Sequence, residues 1–154
     1  MTKGGLKPEQ RIVGWREWLA LPQFGIAHIK AKIDTGARTS ALHAFALEPY
    51  RRRGVQRVRF GVHPLQRRDD LVAQCDAEVI DRRWVSDSGG HREQRYVIAS
   101  EAQLGGVAWT IELTLTDREN MLFRMLLGRT ALARRFVVDS ARSYVQGHRP
   151  PGAA

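Results

Sequence analysis

The sequence predicts an all-β fold with one short helix, and two kinds of pattern carry that prediction. Apolar residues alternate with polar ones between His28 and Ile33 and again between Trp109 and Thr116, the period of half-buried strands. Glycine pairs at Gly89-Gly90 and Gly105-Gly106 are typical of hairpin turns. We expect strands near Arg11 to Trp15, Gly25 to Ile33, Ala41 to Ala46, Arg57 to Val62, Cys75 to Val85, Gln94 to Ser100, Val107 to Thr116, and Phe136 to Asp139.

Composition indicates a single globular domain. The chain has 154 residues, 43% of them apolar, and no apolar run long enough to cross a bilayer or to act as a signal-like core. We therefore expect a cytoplasmic protein without a membrane segment. The single Cys75 cannot form an internal disulfide, which fits a reducing compartment. Residues 11–146 are expected to form the domain, with poorly ordered tails at 1–10 and 147–154.

The first candidate functional feature is the turn that ends the strand at Ile33. Asp34 is delivered into Thr35-Gly36-Ala37, where the glycine permits a tight turn and close approach of another backbone. Thr35 adds a hydroxyl that can hydrogen-bond across a turn or an interface. An ordinary Asp-Gly turn would look the same locally, so a second motif is needed to favour a catalytic carboxylate.

That second motif is an apolar run that meets a glycine roughly ninety residues further on. Met125, Leu126 and Leu127 precede Gly128 and Arg129, and a short helix is expected through Ala131 to Ala133.

A third feature is a hairpin between the arms Arg82 to Val85 and Arg92 to Val97. Its tip contains Ser86, Asp87, Ser88, Gly89, Gly90 and His91.

Together these motifs resemble the retropepsins, the dimeric branch of the aspartic peptidases. The stretch from Lys32 to Ala44 and the segments Arg82 to Val97 and Thr114 to Arg129 are similar to a bacterial group labelled ATP-dependent zinc proteases, which includes the RimB peptidases associated with RimK-type glutamate ligases. The likeness runs from about Val13 to Tyr144. It implies a closed β-barrel of the acid-protease type, with a flap hairpin and a short helix after Leu-Leu-Gly.

The resemblance also implies roles for individual residues. Asp34, Thr35 and Gly36 correspond to the catalytic triplet, and the hairpin tip Ser86 to His91 corresponds to a flap that closes over bound peptide. Support for the catalytic turn is expected from Ala37, Leu126, Leu127, Gly128 and Arg129.

One position departs from the viral members of the family. They carry an acidic residue after the Ala of the tetrapeptide, and it pairs with the Arg of the apolar-Gly-Arg motif, whereas this chain has Arg38 there. Two arrangements remain open. Arg129 pairs with another carboxylate, namely Asp117, Asp139 or Glu112, or Arg38 points into the substrate cleft.

Peptide hydrolysis by carboxylates needs two of them at close range, one ionised to activate water and one protonated to polarise the scissile carbonyl. The chain contains one Asp-Thr-Gly. The second carboxylate is therefore expected from Asp34 of a partner in a homodimer with two-fold symmetry. The family resemblance suggests that strands near the chain ends form the interface, with Phe136 to Val138 and Tyr144-Val145 as candidates.

Charge suggests an acidic substrate. The net charge is +9, from 21 arginines and four lysines against 16 acidic residues, and guanidinium groups bind carboxylates in a bidentate fork. RimB-type peptidases are thought to trim glutamate tails that RimK-type ligases add to a ribosomal protein, and such a poly-glutamate peptide would suit an arginine-lined cleft. The candidate substrate contacts are Arg38, Arg82, Arg92 and Arg95.

The same charge permits a different class of function, a non-catalytic RNA- or ribosome-binding domain that holds phosphates with arginine and stacks bases on Trp84, Tyr50 or Trp109. No RNP-like or helix-turn-helix pattern supports it.

The sequence supports neither a metal nor a nucleotide cofactor, despite the label of the group. The five histidines lack ligand spacing, and Cys75 has no cysteine partner. The glycine pairs are not followed by the Lys-Ser or Lys-Thr of a phosphate-binding loop. The expected enzyme is an aspartic endopeptidase without a cofactor.

Overall fold

The fold is built almost entirely from β-strands in the computed structural model, which describes residues 10–65, 70–86, 89–117 and 122–147. Within these ranges the chain forms one four-residue helix, α1 (Arg129–Leu132), a 3-10 turn at Pro22–Phe24, and twelve strands. The strands are β1 (Arg11–Val13), β2 (Arg16–Leu21), β3 (Ile26–Asp34), β4 (Ser40–His43), β5 (Phe45–Arg52), β6 (Val55–Val62), β7 (Ala73–Glu78), β8 (Asp81–Ser86), β9 (Arg92–Leu104), β10 (Val107–Thr116), β11 (Met125–Gly128) and β12 (Phe136–Val138). The all-β prediction with one short helix is confirmed.

The largest sheet has the strand order β10-β4-β11-β3-β2-β9-β8, and β9 also pairs with β10. Because β9 pairs with both β2 and β10, the strand order closes into a ring. The inward side chains of these strands therefore face one another. Most of the core is apolar and fully buried there, including Leu19, Ile29, Leu42, Leu113 and Leu127. Strands β5, β6 and β7 form a separate sheet whose Phe60 packs edge-on against Phe24.

Three strand predictions need correction. The segment Ala41 to Ala46 contains the end of β4 and the start of β5, which belong to different sheets. The segment Cys75 to Val85 forms two strands, not one, because the backbone changes partners between them: the Val79 N–H donates to Gln56 and the Ile80 N–H donates to Val97. Strand β2 was not expected at all. Its inward positions are Glu17, Leu19 and Leu21, and the glutamate breaks the apolar alternation on which strand prediction depends.

Cys75 is buried in β7, and burial raises the pKa of its thiol to about 11. The described helices are too short and insufficiently apolar to span a membrane. The predicted tails fall outside the described residues, except for Gln10 and Gly147.

Residues 139–147, which we call the C-terminal segment, bind to the start of their own chain. The fully buried Glu17 carboxyl group accepts hydrogen bonds from the backbone N–H groups of Gly14, Val145 and Gln146 at 2.6, 2.8 and 3.1 Å. Tyr144 stacks on Trp18 at a ring distance of 6.2 Å. Tyr144 and Val145 form no strand, whereas β12 pairs in parallel with β1 of the same chain.

Replacing Glu17 by Ala is expected to lower the free energy of unfolding by about 2–4 kcal/mol, because one buried and two partly buried N–H groups lose the acceptor that satisfies them. Urea unfolding measures the loss, and amide hydrogen exchange should become faster at Val145 and Gln146. Glu101→Ala, at an exposed position of β9, is the matched control and should change stability little. Equal stability of the two variants would contradict this account of Glu17.

Candidate active site

The Asp34 carboxyl group is held by its own turn. Its Oδ1 atom accepts hydrogen bonds from the backbone N–H groups of Gly36 at 3.0 Å and Ala37 at 3.2 Å. A Cβ atom at Gly36 would lie 3.3 Å from this oxygen, a tight approach that favours glycine. The half-buried carboxyl group is therefore oriented before any ligand arrives.

Strand β11 supports this turn from behind. It pairs in parallel with β3, so that Gly128 lies opposite Asp34. A Cβ atom at Gly128 would lie 2.6 Å from the carbonyl oxygen of Thr39 and 2.9 Å from that of Ala37. Because these are backbone atoms, only glycine permits the observed approach.

Helix α1 begins where β11 ends, and its first residues bind the same turn. The Arg129 N–H donates to the Ala37 carbonyl at 2.7 Å, and the backbone and hydroxyl of Thr130 both donate to the Arg38 carbonyl, at 3.2 and 2.9 Å. The Arg129 guanidinium donates to the Thr35 carbonyl at 3.4 Å. Both ends of the turn are thus tied to one short segment.

The two arrangements considered for Arg38 and Arg129 can now be compared. Of the three carboxylates proposed for Arg129, Glu112 is paired with Arg83 at 2.8 Å and Asp139 accepts from the Ala141 N–H at 3.0 Å. Arg38 is exposed and lines the cleft beside Asp34. Arg38 therefore faces the cleft, as the second arrangement expects, while the Arg129 guanidinium contacts the Thr35 carbonyl.

A cleft of about 1130 Å³ opens at Asp34. Its other side is the hairpin formed by β8 and β9, which contributes Trp84, Val85, Ser86, Gly89 and His91. Asp87 and Ser88, the remaining predicted tip residues before the glycines, lie outside the described residues. A peptide bound at Asp34 would therefore lie between the turn and this hairpin.

The other three predicted substrate contacts are arranged differently from Arg38. Arg95 lines the cleft, but it is 8% exposed and its guanidinium is engaged by Glu93 and by the Thr114 hydroxyl. Arg82 bonds the Gln94 side chain and lies over the Tyr96 ring, and Arg92 lies over the Trp84 ring. Neither Arg82 nor Arg92 is among the residues that line the cleft.

The cleft also contains charged residues that the sequence reasoning missed, namely Lys32, Arg83 and Glu112. Lys32 could have been found, because strand alternation puts it on the Asp34 face of β3. Arg83 and Glu112 meet only through the packing of the hairpin against β10. Their hydrogen bond, followed by the bond to Asp81, raises the pKa of the Arg83 guanidinium, and the same arginine lowers the pKa of Asp81.

In the described part of the chain, no group of three or more His, Cys, Asp or Glu side chains is arranged to hold a metal ion. The described cleft places the Asp34 carboxyl group and the paired Glu112 among the cations Lys32, Arg38, Arg83 and Arg95.

Comparison with known proteins identifies the family of this chain. A family model of retropepsin-like aspartic endopeptidases matches residues 12–149, which is most of the chain, so this protein belongs to that class. Within the class it is a member of the RimB-like family. A crystal structure of a Legionella pneumophila protein of unknown function has the same fold, with a TM-score of 0.74 and 26% identity over 88% of this chain and 97% of that one.

Curated relatives are longer proteins. The chain is 48% identical over 136 residues to a probable alpha-L-glutamate ligase of Shewanella halifaxensis, and 46% and 43% identical to proteins of the same name from Shewanella pealeana and Desulfotalea psychrophila. The matches cover 86% to 90% of this chain but 28% to 30% of those proteins. The similarity to each ligase is therefore confined to less than a third of its length.

Gly128→Ala is expected to destabilise the protein by about 1–3 kcal/mol, because the new methyl group must displace the backbone of the Asp34 turn. Urea or thermal unfolding measures this effect. Gly147→Ala is the control, since a Cβ atom there meets nothing within 4 Å. If Gly128→Ala were as stable as Gly147→Ala, the close approach of β11 to the turn would be refuted.

Proposed function

We propose that this protein is an aspartic endopeptidase whose active site is shared between two copies of the chain. The observation that carries the proposal is the Asp34 carboxyl group, fixed by the N–H groups of Gly36 and Ala37 at the edge of a peptide-sized cleft. The hairpin of β8 and β9 acts as the flap that covers bound peptide and excludes water.

A second carboxylate must come from a partner chain. Glu112 is another carboxylate in the described cleft, but it is engaged by an ion pair with Arg83 at 2.8 Å. It is therefore poorly suited to share a proton with Asp34. Two-fold symmetry would instead bring a second Asp34 turn against the first, with the same environment on both sides.

The chemistry then follows the general course of carboxylate-catalysed hydrolysis. The ionised member of the pair takes a proton from water, and the resulting oxygen nucleophile forms a bond to the scissile carbonyl carbon. The protonated member donates a hydrogen bond to the carbonyl oxygen. Transfer of a proton to the amide nitrogen lets the C–N bond break, which releases a carboxylic acid and an amine.

We further propose that the substrate is an acidic, glutamate-rich peptide, such as a poly-glutamate tail on a ribosomal protein. Two observations support this: the cleft carries Lys32, Arg38, Arg83 and Arg95, and the relatives that contain a homologous region are named as probable glutamate ligases. A peptidase joined to a ligase in one chain suggests that the two act on the same product. We propose the same functional link to a RimK-type ligase for this protein, in the cytoplasm.

RNA binding remains a second candidate function because three arginines, Arg51, Arg52 and Arg53, are exposed at the turn between β5 and β6. The proposed stacking residues fit it less well. Trp109 is buried, and the Tyr50 ring lies under the Arg59 guanidinium at 4.0 Å, whereas Trp84 is 61% exposed. RNA affinity that falls steeply with salt and survives Asp34→Asn, in a protein that cleaves no peptide, would favour this alternative.

Asp34→Asn is expected to reduce cleavage of a glutamate-rich peptide by about 10²–10⁴-fold. Asparagine keeps an oxygen acceptor for Gly36 and Ala37 but cannot carry the negative charge, so the fold should persist while the chemistry fails. The cleavage rate is measured chromatographically at saturating peptide, with unfolding curves to confirm equal stability.

Subunit mixing tests the shared site separately. When wild-type and Asp34→Asn chains are re-equilibrated in equal amounts, about a quarter of the dimers carry two intact Asp34 residues, so activity should fall to about a quarter. Independent monomeric sites would retain about half of the activity.

Cleavage should also persist in chelator and without nucleotide; loss under either condition would contradict the cofactor-free mechanism.

A further inference from the structure

Lys32 occupies a position that points to a role in substrate recognition. Along β3 the side chains of Ala31 and Ile33 are buried, while Lys32 is exposed on the same face of the strand as Asp34. One residue, Ile33, lies between Lys32 and Asp34 along the strand, a spacing of roughly 7 Å. Both residues line the same cleft.

Lys32 lies beside apolar residues of the neighbouring strands. In register, Lys32 lies opposite Leu126 of β11, and Leu126 lies opposite Ala41 of β4. Both apolar residues also line the cleft. This arrangement fits a side chain that has methylene groups and ends in a carboxylate, which describes glutamate.

Lys32 and Arg38 are the cleft cations available to such a carboxylate. Neither forms an ion pair with another residue in the described ranges, whereas Arg83 is engaged by Asp81 and Glu112, and Arg95 by Glu93. On the other side of Lys32, the paired residue is Arg16 of β2, a further cation, whose guanidinium is directed to Ser143 and the ring of Tyr144. The carboxylate ligand that Lys32 lacks would come from the substrate.

We propose that Lys32 is a specificity-determining residue that binds a substrate carboxylate beside the scissile bond. This inference rests on the shared site proposed above. Two-fold symmetry repeats Lys32 and Arg38 on the partner's half of the cleft, so a cationic subsite on one side of the scissile bond is matched by one on the other. The enzyme should therefore select bonds with an acidic residue on both sides, as in a run of glutamates.

The test uses four peptides of equal length that place Glu–Glu, Glu–Ala, Ala–Glu or Ala–Ala around one cleavable bond, with the cleavage position read by mass spectrometry. For wild type we expect kcat/KM to be highest for Glu–Glu, with a similar loss for either single replacement. Lys32→Gln should reduce the Glu–Glu to Ala–Ala ratio by about tenfold or more, mainly through KM. Lys32→Arg should keep most of the preference.

Lys30→Gln is the matched control. Lys30 is on the same strand and face, but its ammonium lies over the rings of Trp18 and Phe123 and does not line the cleft. The Lys30→Gln substitution removes the same charge as Lys32→Gln and should leave the peptide preference unchanged. Lys32→Glu should invert the preference toward peptides with lysine beside the scissile bond.

The outcomes separate the two proposals. If Lys32→Gln cleaves with the wild-type preference, or if Lys30→Gln loses the preference equally, Lys32 is not the determinant, while the endopeptidase assignment stands. If dimeric wild type cleaves none of the four peptides, the proposed function fails and Lys32 loses its role with it. Binding of the Glu–Glu peptide to the Asp34→Asn dimer gives a readout without catalysis, and adding Lys32→Gln should weaken that binding about tenfold.

Discussion

The parallel pairing of β3 with β11 is the contact on which the candidate site depends. It sets Gly128 against the backbone of Ala37 and Thr39, and it lets α1 bind both ends of the Asp34 turn. A turn with a carboxylate at its tip would otherwise have many conformations, and each would aim the oxygen atoms differently. Fixing it with backbone contacts gives the carboxyl group one orientation without using its second oxygen.

A buried polar network extends this support toward the hairpin. The Gly128 N–H donates to the Ser40 hydroxyl at 3.0 Å, and the Thr114 hydroxyl donates to the Ser40 carbonyl at 3.1 Å. Arg95, at the base of the hairpin, donates to the same threonine and pairs with Glu93. Because buried polar groups are costly when unpaired, movement at the hairpin base and movement of the Asp34 turn are opposed by the same set of bonds.

Much of the fold and of the candidate site could be predicted from local sequence patterns, and the remainder depends on tertiary contacts. The strand before Asp34 follows strict alternation, and the run before Gly128 is apolar and ends at a glycine. Both segments are strands of the largest sheet. Strand β2 was not predicted because Glu17 faces inward. Its carboxyl oxygens accept hydrogen bonds from Val145 and Gln146, more than a hundred residues further along the chain. The hydrogen bond from Arg95 to Thr114 could not be predicted either, because Thr114 is on a different strand, β10.

The charge of the cleft bears on a difficulty that the proposed carboxylate catalyst would have with an acidic substrate. Two catalytic carboxylates and a run of glutamates would repel one another at close range, and the repulsion is strong where water is excluded. In the proposed function, cations beside the Asp34 turn would offset that repulsion locally, and the net charge of +9 would draw acidic peptides toward the protein. The two kinds of cation are not equivalent. Arg83 and Arg95 are paired with Glu112 and Glu93 and support the hairpin, whereas Lys32 and Arg38 would be available to an acidic substrate in the proposed function. The distribution of ion pairs within one cleft thus separates the cations that are paired within the protein from those that, in the proposed function, would bind the substrate.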